Sequence, residues 1–318
     1  MTAHLVRIIL PGCILAFWTP GFASEQLDRT GFEQTFEQQF STAADPAGFH
    51  AAYPGLRTWY YYGSQNQDAD QPQSARFTAR TYGGIHNVMV DPSYLPGALT
   101  PKVADGWLCI DAYPLDDQQR LTAGQGKKTF ASAVVTTQGS FAQTYGYFEI
   151  RATLPAVSGT WPAFWLLPVT KTKENNGRLA EIDVFEHYAG TRTLVSQNKP
   201  VIIDRVGRPF STLHYLGPEG KEVSKSNTKE QSKASAPRLD LAVPHVFGVL
   251  WTQTSFTFYI DEARTFETPN PGVADPHYLL VNLDVSPNAG PVTTTDYADP
   301  AKPVRYAIDW MRAWSIKQ

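Results

Sequence analysis

The sequence predicts an all-β protein, an antiparallel sandwich of two sheets. Short runs rich in β-branched and aromatic residues recur along the chain, bounded by Gly, Pro, Asn and Asp. No segment after residue 23 carries the apolar period of a long amphipathic helix, so helical crossovers are not expected, and no repeat period appears. With 318 residues, 42% hydrophobic and 18% charged, the chain can fill a large core.

Taken in chain order, residues 1–23 stand apart. His4 and Arg7 hold the only ionisable side chains there, residues 8–18 are apolar but broken by Pro11 and Gly12, and Gly21-Phe22-Ala23 places small residues where a signal peptidase reads. This pattern predicts a signal peptide and a secreted or periplasmic protein. The apolar stretch is about half the ~20 residues a membrane span needs. Cleavage after Ala23 would leave residues 24–318, read as a single domain because no linker composition interrupts it. Cys109 is then the one remaining cysteine, so an intrachain disulfide is excluded and a buried inert thiol is expected.

Residues 77–81, 133–137, 147–154, 246–251, 256–261, 278–283 and 306–314 read as strands. Residues 115–128 and 217–237 are polar and read as solvated loops; the second carries four lysines and could rim a cleft. The net charge of −3, with no basic run interleaved with aromatics, argues against a nucleic-acid partner. No membrane association is expected after cleavage, and the protein is expected to be a monomer. The 8 Trp, 15 Tyr and 17 Phe serve mostly as core packing, and the rest suit a sugar-stacking cleft, because pyranose rings present apolar C–H faces that lie flat on indoles.

The chemistry concentrates in Glu181-Ile182-Asp183-Val184-Phe185-Glu186. On a strand Glu181 and Asp183 share a face while Ile182 and Val184 point into the core. Strict alternation sends Glu186 to the opposite face; one extra residue, a β-bulge near Val184-Phe185, returns it. Three carboxylates on one face repel each other, so stability does not account for them. Retaining hydrolysis of a glycosidic bond needs one ionised carboxylate and one protonated carboxyl about 5–5.5 Å apart. A third acid between them raises the pKa of the proton donor. A solvated polar face or a divalent-cation site would use the same residue types.

The hexapeptide resembles the E-x-D-x-x-E signature, in its bulged form, of the family-16 glycoside hydrolases. The resemblance extends through Tyr145-Gly146-Tyr147-Phe148-Glu149-Ile150-Arg151, Gly159-Thr160-Trp161-Pro162-Ala163-Phe164-Trp165, the hairpin from His245 to Asp261, Pro276 to Leu283, and the closing Ile308-Asp309-Trp310-Met311-Arg312. It implies a concanavalin-like β-jelly roll with an open concave cleft, and an endo-acting, retaining double displacement on a β-linked polysaccharide. By position, Glu181 resembles the nucleophile, Glu186 the acid/base and Asp183 the assisting acid. Trp161, Trp165 and, less closely, Asn282 resemble sugar-contacting residues. No cofactor is implied for catalysis, and Asp309 resembles a residue that holds a structural calcium in some members. His187 and His214 receive no catalytic role.

The chain departs from many laminarinases after Asn282-Leu283, where residues 284–291 hold no tryptophan. The implied substrate is a β-1,3- or β-1,3-1,4-glucan, with a bacterial exopolysaccharide or galactan next, and a transglycosylase would use the same residues. A non-catalytic carbohydrate-binding jelly roll gains nothing from three uncompensated carboxylates.

Overall fold

The structure, a computed structural model, describes residues 26–58, 84–93, 95, 97–123, 128–169, 180–196, 199–233, 235–299 and 301–316. The expected signal peptide at 1–23 and the strand expected at 77–81 lie outside the described residues. Eighteen strands are described: β1 (Phe32–Gln39), β2 (Asn87–Met89), β3 (Lys102–Ala104), β4 (Trp107–Pro114), β5 (Phe130–Ser132), β6 (Val134–Thr136), β7 (Gly146–Thr153), β8 (Thr160–Pro168) and β9 (Ala180–Glu186). The second half of the chain adds β10 (Thr191–Ser196), β11 (Lys199–Asp204), β12 (Phe210–Leu216), β13 (Glu222–Ser226), β14 (His245–Trp251), β15 (Ser255–Ile260), β16 (Ala263–Pro269), β17 (His277–Val285) and β18 (Val304–Ile316).

They form a jelly-roll sandwich. One sheet runs β16-β15-β14-β7-β18-β4-β5-β2, with β1 added on β18 and β3 on β4; the other runs β13-β12-β9-β8-β17-β6. Pairings are antiparallel except β2 with β5. The alternation of side chains explains why these segments are strands. On β7, Phe148, Ile150 and Ala152 enter the core, while Glu149 faces away and meets Arg29 at 2.7 Å. On β17, Leu279, Val281, Leu283 and Val285 enter the same core, leaving Asn282 and Asp284 on the opposite face. Phe185 of β9 packs on Phe247 of β14 with ring centroids 4.1 Å apart, joining the two sheets. Each such fully buried ring contributes roughly 1.5–3 kcal/mol by leaving water.

The six-stranded sheet is unusual in being covered on its other face too. Met89, Val134, Ala163, Trp165, Leu167, Tyr278 and Leu280 form a second apolar cluster there. That is why all nine residues of β8 and of β17 are buried. Cys109 is free and buried, and burial pushes its thiol pKa up.

Two segments expected as loops contain regular structure. Within 115–128, a helix spans Asp117–Ala123. Asp116 caps it, its carboxylate accepting from the Gln119 N–H at 2.7 Å while the Gln119 side chain accepts from the Asp116 N–H at 3.3 Å. Within 217–237, β13 returns alongside β12 after a turn in which Gly220 has φ 68°, and a helical turn follows at Thr228–Gln231. Among the described residues no helix is long and apolar enough to cross a membrane.

Candidate active site

Strand β9 delivers the acids. Against β12, Phe210 pairs with Glu186 and Thr212 with Asp183, so two residues of β9, Val184 and Phe185, stand opposite Ser211 alone and the register slips. Against β8 the slip falls in the same place, with Phe164 opposite Phe185 and Trp165 opposite Asp183. This is the bulge expected near Val184-Phe185. Val184 and Phe185, though consecutive, both enter the main core, and Glu186 returns to the face of Glu181 and Asp183. A bulge frees a carbonyl from the ladder, and here Val184 O accepts the Ser211 hydroxyl at 2.8 Å. Ser211 is itself held by its N–H, which donates to Asn227 Oδ1 at 2.9 Å. The bulge therefore has dedicated support from the loop that precedes the Thr228–Gln231 turn.

The environment separates the acids. Burial pushes the Glu186 carboxyl up to about 8, and repulsion from Asp183 and then Glu181 adds to the shift. Two contacts pull the other way, the charge of His214 and the Trp161 indole N–H, which donates to Glu186 Oε1 at 2.8 Å. A carboxyl that keeps its proton near neutrality and sits beside two other carboxyl groups can act as a general acid.

His214, given no role from sequence, lies directly opposite Glu181 in the β12–β9 register. Its Nε2 is 3.3 Å from Asp183 Oδ2, and its Nδ1 side meets Glu222 at 3.0 Å and Ser224 at 2.8 Å. The partners come from β13, a strand inside the polar stretch 217–237. With both ring nitrogens engaged, His214 fixes the Asp183 carboxylate in place. Glu181, Asp183 and His214 offer three ligand atoms within 4.8 Å of one another, the one such cluster among the described residues. A divalent cation seated there would take the lone pairs that nucleophilic chemistry needs.

Trp161 and Trp165 share a face of β8, flanking Ala163. Trp161 is 9% exposed, edge-on to Tyr188 at 5.0 Å, and its N–H reaches Glu186. Trp165 is 2% exposed and donates to Asn282 Oδ1 at 2.7 Å. The Asn282 amide in turn donates to Asp284 Oδ2 at 3.1 Å, and Asp284 Oδ1 accepts from Asn87 at 3.3 Å. Asn282 thus anchors the Trp165 ring, with both ends of its amide engaged. Asp309 stands away from this site on β18, and its carboxylate is ion-paired with Arg151 of β7. A guanidinium holds the position where calcium would need oxygen donors, so the residues present there do not fit that ion.

Behind β9 the strand exit is fixed by close backbone approach. Cβ atoms built on Gly190 and Gly290 would each lie under 3 Å from the other's backbone, and Gly290 has φ 115°. His187 is buried with its Nε2 accepting the Gly207 N–H at 3.0 Å.

Residues 111–312 match the family described as Glycosyl hydrolases family 16, and the chain belongs to that family. Two relatives are from Rhizobium meliloti (strain 1021). The endo-1,3-1,4-beta-glycanase EglC is 33% identical over 91% of this chain and 53% of its own length. The endo-1,3-1,4-beta-glycanase ExsH is 30% identical over the same shares. The chain therefore spans about half the length of these relatives. The solved structure of SCLam, a non-specific endo-beta-1,3(4)-glucanase, superposes with a TM-score of 0.64 at 17% identity, covering 92% of this chain and 95% of that one. That likeness shows the shared jelly roll.

Proposed function

We propose that the protein is an endo-acting, retaining glycoside hydrolase of a β-1,3- or β-1,3-1,4-glucan. The observation that carries this reading is the supported bulge that returns Glu186 to one face with Glu181 and Asp183, where desolvation and the two neighbouring acids push its carboxyl up to about 8. The two Rhizobium relatives, both endo-1,3-1,4-beta-glycanases, support the substrate class. In the first step the Glu181 carboxylate attacks the anomeric carbon while Glu186 gives its proton to the departing glycosidic oxygen. Asp183, fixed by His214, repels the electrons that Glu186 would keep and so holds the proton in place until transfer. In the second step the ionised Glu186 takes a proton from water, the hydroxide oxygen bonds to the anomeric carbon and Glu181 leaves as a carboxylate. Both steps use only these groups and water, so no cofactor takes part. Trp161, whose indole reaches Glu186, serves as the sugar-facing aromatic, while Trp165, 2% exposed and anchored by Asn282, backs the site from the apolar cluster.

Residues 24–318 act as one catalytic domain, exported by residues 1–23 and functioning as a monomer. The test is to incubate the protein and its Glu181→Gln variant with laminarin, lichenan, curdlan, agarose and carrageenan, following reducing ends and product sizes. Oligosaccharides released from laminarin or lichenan, and absent with the variant, are expected. Binding without release from any polymer would instead support a carbohydrate-binding role.

A further inference from the structure

The hairpin β10–β11 connects the catalytic strand β9 to β12 and brings two arginines beside the site. Arg205, just after β11, lies over the rings of Phe210 at 4.8 Å and Tyr188 at 5.3 Å. Both rings belong to the site's wall: Phe210 pairs with Glu186 in register, and Tyr188 packs edge-on against Trp161. The Arg205 Nε donates to Ser232 Oγ at 3.2 Å. Arg192, at the start of β10, has its Nη1 held by Asn288 at 2.7 Å and its Nε buried without a partner. Arg192 and Glu186 both fall within electrostatic range of Arg205.

Neither guanidinium has a carboxylate within ion-pair distance among the described residues. Asp204, next to Arg205 in sequence, is taken by Arg238 and by Arg208 at 3.7 Å. Glu230, on the adjacent helical turn, is exposed and forms no ion pair with them. Nor do the arginines serve the acid/base: a cation near Glu186 favours its ionised form and so works against the proton donor. Two arginines placed at a cost to one another, beside a neutral carboxyl and flattened on aromatic rings, fit an anion brought from outside. A shallow open pocket of about 340 Å³, lined by Ile202, Ile203, Arg205, Thr228, Lys229 and Ser232, continues the same surface and adds a third cation.

We propose that Arg205 and Arg192 form an anion-binding subsite beside Glu186, and that the glycan this enzyme takes carries an anionic substituent, a carboxylate or a sulfate ester. The proposal rests on the reading that the site takes a β-glucan, and it adds to that backbone a preference for chains bearing a charged substituent. A planar carboxylate matches the guanidinium fork in two parallel hydrogen bonds, whereas a sulfate presents three oxygens to the pair.

The experiment measures binding of mixed-linkage β-glucan hexasaccharides in three forms: unmodified, oxidised at C6 to uronates, and 6-O-sulfated. Tryptophan fluorescence gives Kd at low and high salt for the wild type, Arg205→Ala, Arg205→Lys and Arg192→Ala. The ratio of Kd values is taken within each protein, so a loss of folded fraction cancels. About tenfold tighter binding of one charged form is expected, shrinking at high salt and lost in Arg205→Ala. Which charged form gains tells carboxylate from sulfate. Equal binding of all three forms, or a preference that survives in both alanine variants, would overturn the subsite. Absence of reducing-end release from these samples, with the charge preference intact, would sink the hydrolase reading and leave the subsite standing.

Discussion

At the residue scale, the account turns on what keeps a proton on Glu186. Burial raises its pKa most, and the neighbouring Asp183 and Glu181 raise it further, while the Trp161 N–H stabilises the ionised form. The basic limb of the pH–rate profile should therefore fall near pH 8, where Glu186 loses its proton. Two substitutions should move that limb in opposite directions. Asp183→Asn removes a like charge and should shift it to lower pH. Trp161→Phe removes the indole N–H donor, and the limb should move to higher pH. Measured kcat/KM profiles check both, and shifts of the same sign would mean that burial alone sets the proton affinity. His214 belongs to this scale as the residue that fixes Asp183. Its position was not legible, because its two anchors, Glu222 and Ser224, sit in a polar stretch that has no strand composition.

At the element scale, the bulge in β9 is what makes a six-residue motif into a site. The sequence itself demanded it, since Glu181, Asp183 and Glu186 cannot share a face by alternation while Val184 and Phe185 are both apolar. What supports the bulge was not readable: Ser211 and Asn227 approach Val184 only through the fold. Ser211→Ala leaves the buried Val184 carbonyl without its partner and should cost about 1–3 kcal/mol in chemical denaturation. It should also lower kcat more than KM, because Glu186 loses its fixed aim. An unchanged kcat would show that the core positions of Val184 and Phe185 hold the bulge unaided.

The same contrast runs through the other elements. Strands β7, β14, β15, β17 and β18 were legible because each alternates apolar and polar residues or is apolar throughout, as two-sided burial requires. The helix at Asp117–Ala123 was signalled by the Asp116-x-x-Gln119 capping pair but obscured by its polar surface. Strand β13 was hidden for a different reason: it is an edge strand, exposed and lysine-bearing, and such strands read as loops.

At the scale of the whole molecule, titration of buried groups sets how stability depends on pH. Burial drives the His187 pKa down to about 3 and that of His277 to about 4, both below the ordinary 6.5. In the unfolded chain each takes up a proton near 6.5, so stability is lost as pH falls from there towards the folded values, at up to about 1.4 kcal/mol per pH unit for each histidine. Glu186 acts in the opposite window. Its folded pKa lies above the ordinary 4.5, so stability is fully present below 4.5 and declines as pH rises towards 8. Glu186→Gln should then be more stable than the wild type above pH 8, by on the order of 1 kcal/mol or more, with the two converging near pH 4. Denaturation curves at the two pH values check this, and a constant gap would show that Glu186 ionises in the folded protein as it does in water.

Azide rescue tests the assignment of Glu181 and Glu186 most directly. With Glu181→Gly and an activated β-glucoside oligosaccharide, azide fills the space of the missing nucleophile and attacks once, so the product should be an α-glycosyl azide. With Glu186→Ala, Glu181 still forms the glycosyl-enzyme and azide replaces water in the second step, so a β-glycosyl azide should form. Rescue with the opposite configurations would exchange the two roles, and no rescue of either variant would contradict double displacement through Glu181.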